Sequence, residues 1–101
     1  MKVAINLHPL LSTSVVERRD GFIEAQVDGE LVALNIESGT CYALNTVGSR
    51  IWDLLGEPSR IGDLCAKLLS EYRVEPDVCQ RDVLGLLEEL RAEGLVATVE
   101  E

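Results

Sequence analysis

The amino-acid sequence predicts an α+β domain, a three-stranded antiparallel meander followed by three helices. Three observations carry this. Asp28-Gly29 separates two loosely alternating runs of apolar and polar residues. Asp-Gly suits a tight two-residue hairpin, because both turn positions take positive φ. A second turn, Glu37-Ser38-Gly39, leads into a third short alternating run. From residue 46 onward the apolar residues recur every three or four positions, the period of a helix with one buried face. Strands grouped before helices imply helices packed on one side of a sheet.

Residues 1–20 are weakly patterned and read as an N-terminal arm, with residues 21–101 as the domain proper. Val3, Ile5 and Leu7 alternate with polar or small residues, which allows a short strand, and His8-Pro9 interrupts it. The first meander strand spans 22–27. The second spans 30–36 and carries a wholly apolar face, Val32, Leu34 and Ile36. The third spans 40–44, with Tyr42 and Leu44 on one face and Cys41 and Ala43 on the other. Such a sheet has two edges. The arm can cover strand one, whereas strand three has no sequence neighbour to pair its outer edge.

Asn45 is placed to cap the next helix, its side-chain oxygen accepting an orphan N–H of the first turn. Helix one is expected over 46–55, with Val47, Ile51, Leu54 and Leu55 as its apolar stripe and Gly56 after its end. Pro58 and Ser59 open helix two, whose stripe is Ile61, Leu64, Cys65, Leu68, Leu69 and Tyr72. Pro76 opens helix three. Its stripe is Cys79, Val83, Leu86, Leu87 and Leu90, and Gly94 fits the position just past its end. Residues 95–99 leave as a short extended tail. Tyr42, Leu44, Ile51 and Trp52 are expected to be largely buried where sheet meets helix one.

Composition narrows the function. The chain of 101 residues is 47% hydrophobic, enough for one domain with a real core. Phe22, Tyr42, Trp52 and Tyr72 are the aromatic residues, so the core is mainly aliphatic. Nine basic against 18 acidic residues leave a net charge of −9. That charge repels phosphate backbones and argues against a nucleic-acid partner. No apolar run is long enough to span a membrane, and the N-terminus lacks the pattern of a signal peptide. The expected location is cytoplasmic, with no membrane partner.

No catalytic constellation emerges. Cys41, Cys65 and Cys79 are odd in number and widely spaced, which fits neither a disulfide framework nor a metal site. Cys65 and Cys79 sit on apolar stripes, where a free thiol acts as a small hydrophobe. Cys41 is the one expected beside the open strand edge. His8 is the single histidine, and no nucleophile motif accompanies it. Glu88, Glu89 and Glu93 read as a solvated helix face. Nothing resembles a phosphate-binding loop, a nucleophile elbow or a zinc-protease helix. The chain therefore reads as a non-enzyme, with no metal and no cofactor.

Two stretches resemble the PqqD family: "LNIESGTCYALNTVGSRIWDLL" at 34–55 and "IGDLCAKLLSEYRVEPDVCQRDVLGLLEELRAEGLV" at 61–96. The positions that carry the likeness are Leu34, Gly39, Tyr42, Leu44 and Asn45, then Gly48, Ile51 and Trp52, then Tyr72, Val74, Asp82 and Val83, and finally Leu90, Gly94 and Leu95. The resemblance covers about residues 22–96. It implies a winged helix-turn-helix-like fold used as a recognition element for ribosomally made precursor peptides. Such proteins hold the leader segment and deliver it to a processing enzyme. The partner is a radical SAM enzyme in pyrroloquinoline quinone biosynthesis and a separate leader peptidase in lasso-peptide systems. The standalone form suits both, with the lasso type preferred.

The resemblance also implies that the leader binds as an added strand against strand three, in a groove walled by helix three. The residues support the same mechanism, because an open edge offers unpaired N–H and C=O groups to an incoming strand. Thr40, Cys41, Tyr42, Ala43 and Leu44 would supply the edge. Val78, Asp82, Gly85, Leu86 and Glu89 would supply the wall, its acids favouring a basic leader. A proline at one of Cys41 and Ala43 is expected to remove an outward N–H. The alternative with the same fold class is a winged-helix DNA-binding protein. Residues 77–93 argue against it, holding five acids and two arginines where a recognition helix offers Lys, Arg, Asn or Gln to bases.

Overall fold

The structure, a computed structural model, describes residues 9–99. The elements run β1 (Val15–Arg18), β2 (Phe22–Val27), β3 (Glu30–Asn35), β4 (Cys41–Leu44), α1 (Thr46–Leu54), β5 (Ser59–Arg60), α2 (Ile61–Glu71), α3 (Pro76–Ala92) and β6 (Val96–Thr98). The expected meander and the three expected helices are all present. One antiparallel sheet has the order β2-β3-β4, and a second has the order β5-β1-β6. The architecture is α+β and winged-helix-like.

Local chemistry sets the meander. Asp28 and Gly29 take φ of 53° and 80°, which closes the hairpin with Val27 opposite Glu30. The second turn is held by Asn35, whose Oδ1 accepts the N–H groups of Glu37 and Ser38. Asn45 caps α1 as expected, its Oδ1 accepting the Gly48 N–H at 2.8 Å. One turn later the buried Ser49 hydroxyl accepts the Leu31 N–H at 2.8 Å and donates to the Leu44 carbonyl at 3.0 Å. The hydroxyl thus stands between two residues that face each other across β3 and β4.

The face of β3 turned to the core is Leu31 and Ala33, at 2% and 0% exposure, while Ile36 is 63% exposed. The apolar face Val32, Leu34 and Ile36 is the outer one, with Val32 and Leu34 half-buried. The strand is apolar on both faces, so its periodicity could not choose between them. The register decides it, because Leu31 lies opposite Leu44 and Ala33 opposite Tyr42, and opposed residues share a face.

The arm also departs from expectation. Among the described residues it does not cover β2. Instead Val16 is fully buried and pairs on one side with Ser59 and on the other with Thr98. The expected tail after α3 is therefore the strand β6. The carbonyls of Ser14 and Ser12 accept the N–H groups of Ile61 and Gly62 at 2.9 and 2.8 Å. Those bonds satisfy the start of α2, which begins at Ile61 because Ser59 and Arg60 are drawn into the second sheet. Val3, Ile5, Leu7 and His8 lie outside the described residues.

The end of α3 follows the sequence closely. Gly94 has φ of 82°, its N–H donates to Arg91, and the Leu95 N–H donates to Leu90 at 2.8 Å. This paired closure reverses the chain at a left-handed glycine. Leu95 and Val96 then enter the core at 0% and 1% exposure. The two sheets meet around Trp52, which is 1% exposed. Phe22 stands edge-on to it at 6.1 Å, and the Arg18 guanidinium lies 5.4 Å from the ring.

Candidate functional site

β4 is bonded to β3 on one side and to no strand on the other among the described residues. The Asn35 N–H donates to the Thr40 carbonyl, and Ala33 faces Tyr42. Backbone groups alternate sides along a strand. Tyr42 therefore bonds inward, while Cys41 and Ala43 both turn their N–H and C=O outward. The expectation that only one of those two faces outward is thus corrected, because residues two apart share a side.

A groove of about 570 Å³ runs along this end of the molecule. Ala43, Leu44 and the Asn45 cap line it from the strand, Val47, Gly48 and Ile51 from α1, and Leu68 and Tyr72 from the end of α2. Arg73 and Val74 line it from the following loop, and Cys79, Asp82, Val83 and Leu86 from α3. Its depth is aliphatic and its rim carries one acid, Asp82, and one base, Arg73. Val47 and Val74, 41% and 37% exposed, are apolar side chains at its mouth. β2 also has an outer edge unpaired among the described residues. That strand is exposed from Ile23 onward, and the hollow of about 630 Å³ at its start is lined mainly by polar and charged residues, among them Arg19, Asp20, Asn35 and Glu37.

Gly48 lets α1 approach this closely. A Cβ there would sit 3.3 Å from both the Asn45 Oδ1 and the Leu44 Cβ, and 3.6 Å from a Leu86 methyl. The glycine is the point where cap, strand and α3 converge.

Four of the ten residues predicted for the site line this groove: Ala43, Leu44, Asp82 and Leu86. The other six stand elsewhere. Thr40 precedes the strand, its hydroxyl bonded to that of Ser38. Cys41 is exposed on the face of the sheet away from the core. Tyr42 is half-buried, edge-on to Phe22 at 6.4 Å. Val78, Gly85 and Glu89 lie on α3 outside the groove lining. The lining residues that the prediction missed include Gly48, Tyr72 and Val74, all three part of the motif that carries the family resemblance. That shared membership was the available signal, since nothing in their residue types suggests binding.

The thiols behave as the stripes implied. Cys65 and Cys79 are buried and Cys41 is exposed. Burial pushes the Cys65 thiol up to about 11, with neighbouring Cys79 adding to the shift. No group of three His, Cys, Asp or Glu side chains suited to a metal occurs among the described residues. No helix among them is long and apolar enough to cross a membrane.

Comparison with known proteins accords with this geometry. No curated protein matches the chain significantly. Among solved structures, TbiB1 in complex with the TbiA(beta) leader peptide is 32% identical with a TM-score of 0.75. That alignment covers 84% of this chain and 99% of the other. A lasso peptide synthetase B1 complexed with its leader peptide is 28% identical with a TM-score of 0.67, covering 81% and 96%. Residues 30–96 match the family described as coenzyme PQQ synthesis protein D. That span holds β3, β4, all three helices and every position of the motif, and the chain belongs to the PqqD family.

Proposed function

We propose that this chain is a leader-peptide binding protein of the lasso-peptide type. The leader of a ribosomally made precursor adds as a strand to β4 and lies in the groove between β4 and α3. The chain contributes binding and delivery, and a separate leader peptidase performs the cleavage. The observation that carries this reading is the outer edge of β4, unpaired among the described residues, with Cys41 and Ala43 turned outward, beside an apolar groove of about 570 Å³. Backbone bonds supply affinity in such strand addition, and the groove supplies specificity through alternate side chains. Both similar solved structures are complexes with leader peptides, which favours this reading over a chaperone role in pyrroloquinoline quinone biosynthesis.

Titration with the leader half of the precursor tests it. Cys41→Pro and Ala43→Pro each remove one outward N–H, and each is expected to weaken binding about fivefold or more with little change in melting. Tyr42→Pro breaks an inward bond and should unfold the sheet instead. Normal leader binding by both outward variants would overturn docking at β4.

A further inference from the structure

The three-stranded sheet has a second face, of which only Ala43, at its β4 edge, also lines the peptide groove. Ile23, Leu34 and Cys41 stand in one cross-strand row, and Ala25, Val32 and Ala43 in the next. Opposed residues share a face, so this side of the sheet is apolar from edge to edge. Val27 and Ile36 continue it at its two ends. Ile23, Val27 and Ile36 are 57%, 58% and 63% exposed. Sheets with one solvated face normally alternate polar residues onto it. A contiguous exposed apolar patch marks an interaction surface, whereas scattered apolar residues do not.

Charge identifies the kind of partner. Residues 20–49 contain five acids and no Lys or Arg. Asp28 and Glu30 stand at the hairpin end of the face and Glu37 at the other. A second copy packed face to face would double this acidic rim around one desolvated patch, which like-charge repulsion opposes. A complementary surface is apolar at its centre with Lys and Arg around it. The face also ends at β4, the strand proposed to hold the peptide, so a partner seated there is next to the bound leader.

We infer that the outer face of the β2-β3-β4 sheet is a docking surface for the processing enzyme, which meets it with an apolar patch rimmed by basic residues. The inference rests on the leader-binding reading for the identity of that enzyme.

The test uses the purified leader peptidase of the same system and a fluorescent leader peptide as separate probes. Ile23→Ser and Ile36→Ser alter exposed side chains and should leave the melt intact. Each is expected to weaken peptidase binding about tenfold while leader affinity stays within about twofold. Glu30→Lys is expected to weaken peptidase binding at low salt and to lose that effect at high salt. The inference falls if both serine variants bind the peptidase normally, or if the wild-type chain does not bind it. It also falls if the chain sediments as a dimer that Ile23→Ser dissociates, or if removing residues 1–8 strengthens peptidase binding. Failure of the leader probe on the wild-type chain would overturn the proposed function, and that result is read independently.

Discussion

Ser49 places one hydroxyl between two strands and the helix that follows them. Its oxygen takes the Leu31 N–H and its proton goes to the Leu44 carbonyl. The two residues are opposed across β3 and β4, so the side chain is inserted into the ladder between their backbone groups. Ser49→Ala leaves a buried donor and acceptor without partners. It is expected to cost about 1–3 kcal/mol, measured by urea unfolding with an unchanged m-value. A loss below about 0.5 kcal/mol would mean that the two strands close directly. Neither composition nor periodicity marked Ser49, because a lone serine on a helix has no distinctive pattern. Gly48 was legible as a motif position, yet its reason, a 3.3 Å approach to Leu44 and Asn45, needed the folded chain.

Among the elements, α3 separates stability from binding. Gly85 lies in its interior, exposed, and a Cβ there would meet nothing within 4 Å. Glycine inside a helix is less stable than alanine by about 0.5–1 kcal/mol. Gly85→Ala should therefore raise stability by that amount in a thermal melt. Leader affinity should stay unchanged, because Gly85 does not line the groove. Weaker leader binding would show that the peptide reaches round to this flank of α3. The helix itself was readable, with Pro76 at its start and Gly94 past its end. Which of its flanks faces β4 was not readable, since the stripe residue Leu86 and the flank residue Asp82 both reach the groove while Val78, Gly85 and Glu89 do not.

The molecule as a whole joins two sheets through one core, and part of that core titrates. Cys65 of α2 sits beside Cys79 of α3, and burial raises its thiol from 9.0 to about 11. The unfolded chain ionises this thiol at the lower value. The stabilising contribution of the buried neutral form is therefore complete below about pH 9, and it is lost as pH rises toward 11. Unfolding free energy measured across that window should fall less steeply in Cys65→Ala than in the unaltered chain. Equal slopes would show that the thiol does not report on this core.

The sequence by itself determined the meander, the three helices and their caps at Asn45 and Gly94. Each follows from contacts within a few residues, where turn chemistry and apolar period act directly. Tertiary structure alone decided that Val15–Arg18 sits between β5 and β6, that α2 is capped by carbonyls of the arm, and that Leu31 and Ala33 face the core. It also decided that the groove is floored by Ile51, Leu68 and Cys79 as well as by strand and helix edges. These outcomes depend on pairings between residues tens of positions apart. Where a strand is apolar on both faces, only its partners choose the side that is buried. The side left over is the exposed apolar face proposed above as a docking surface.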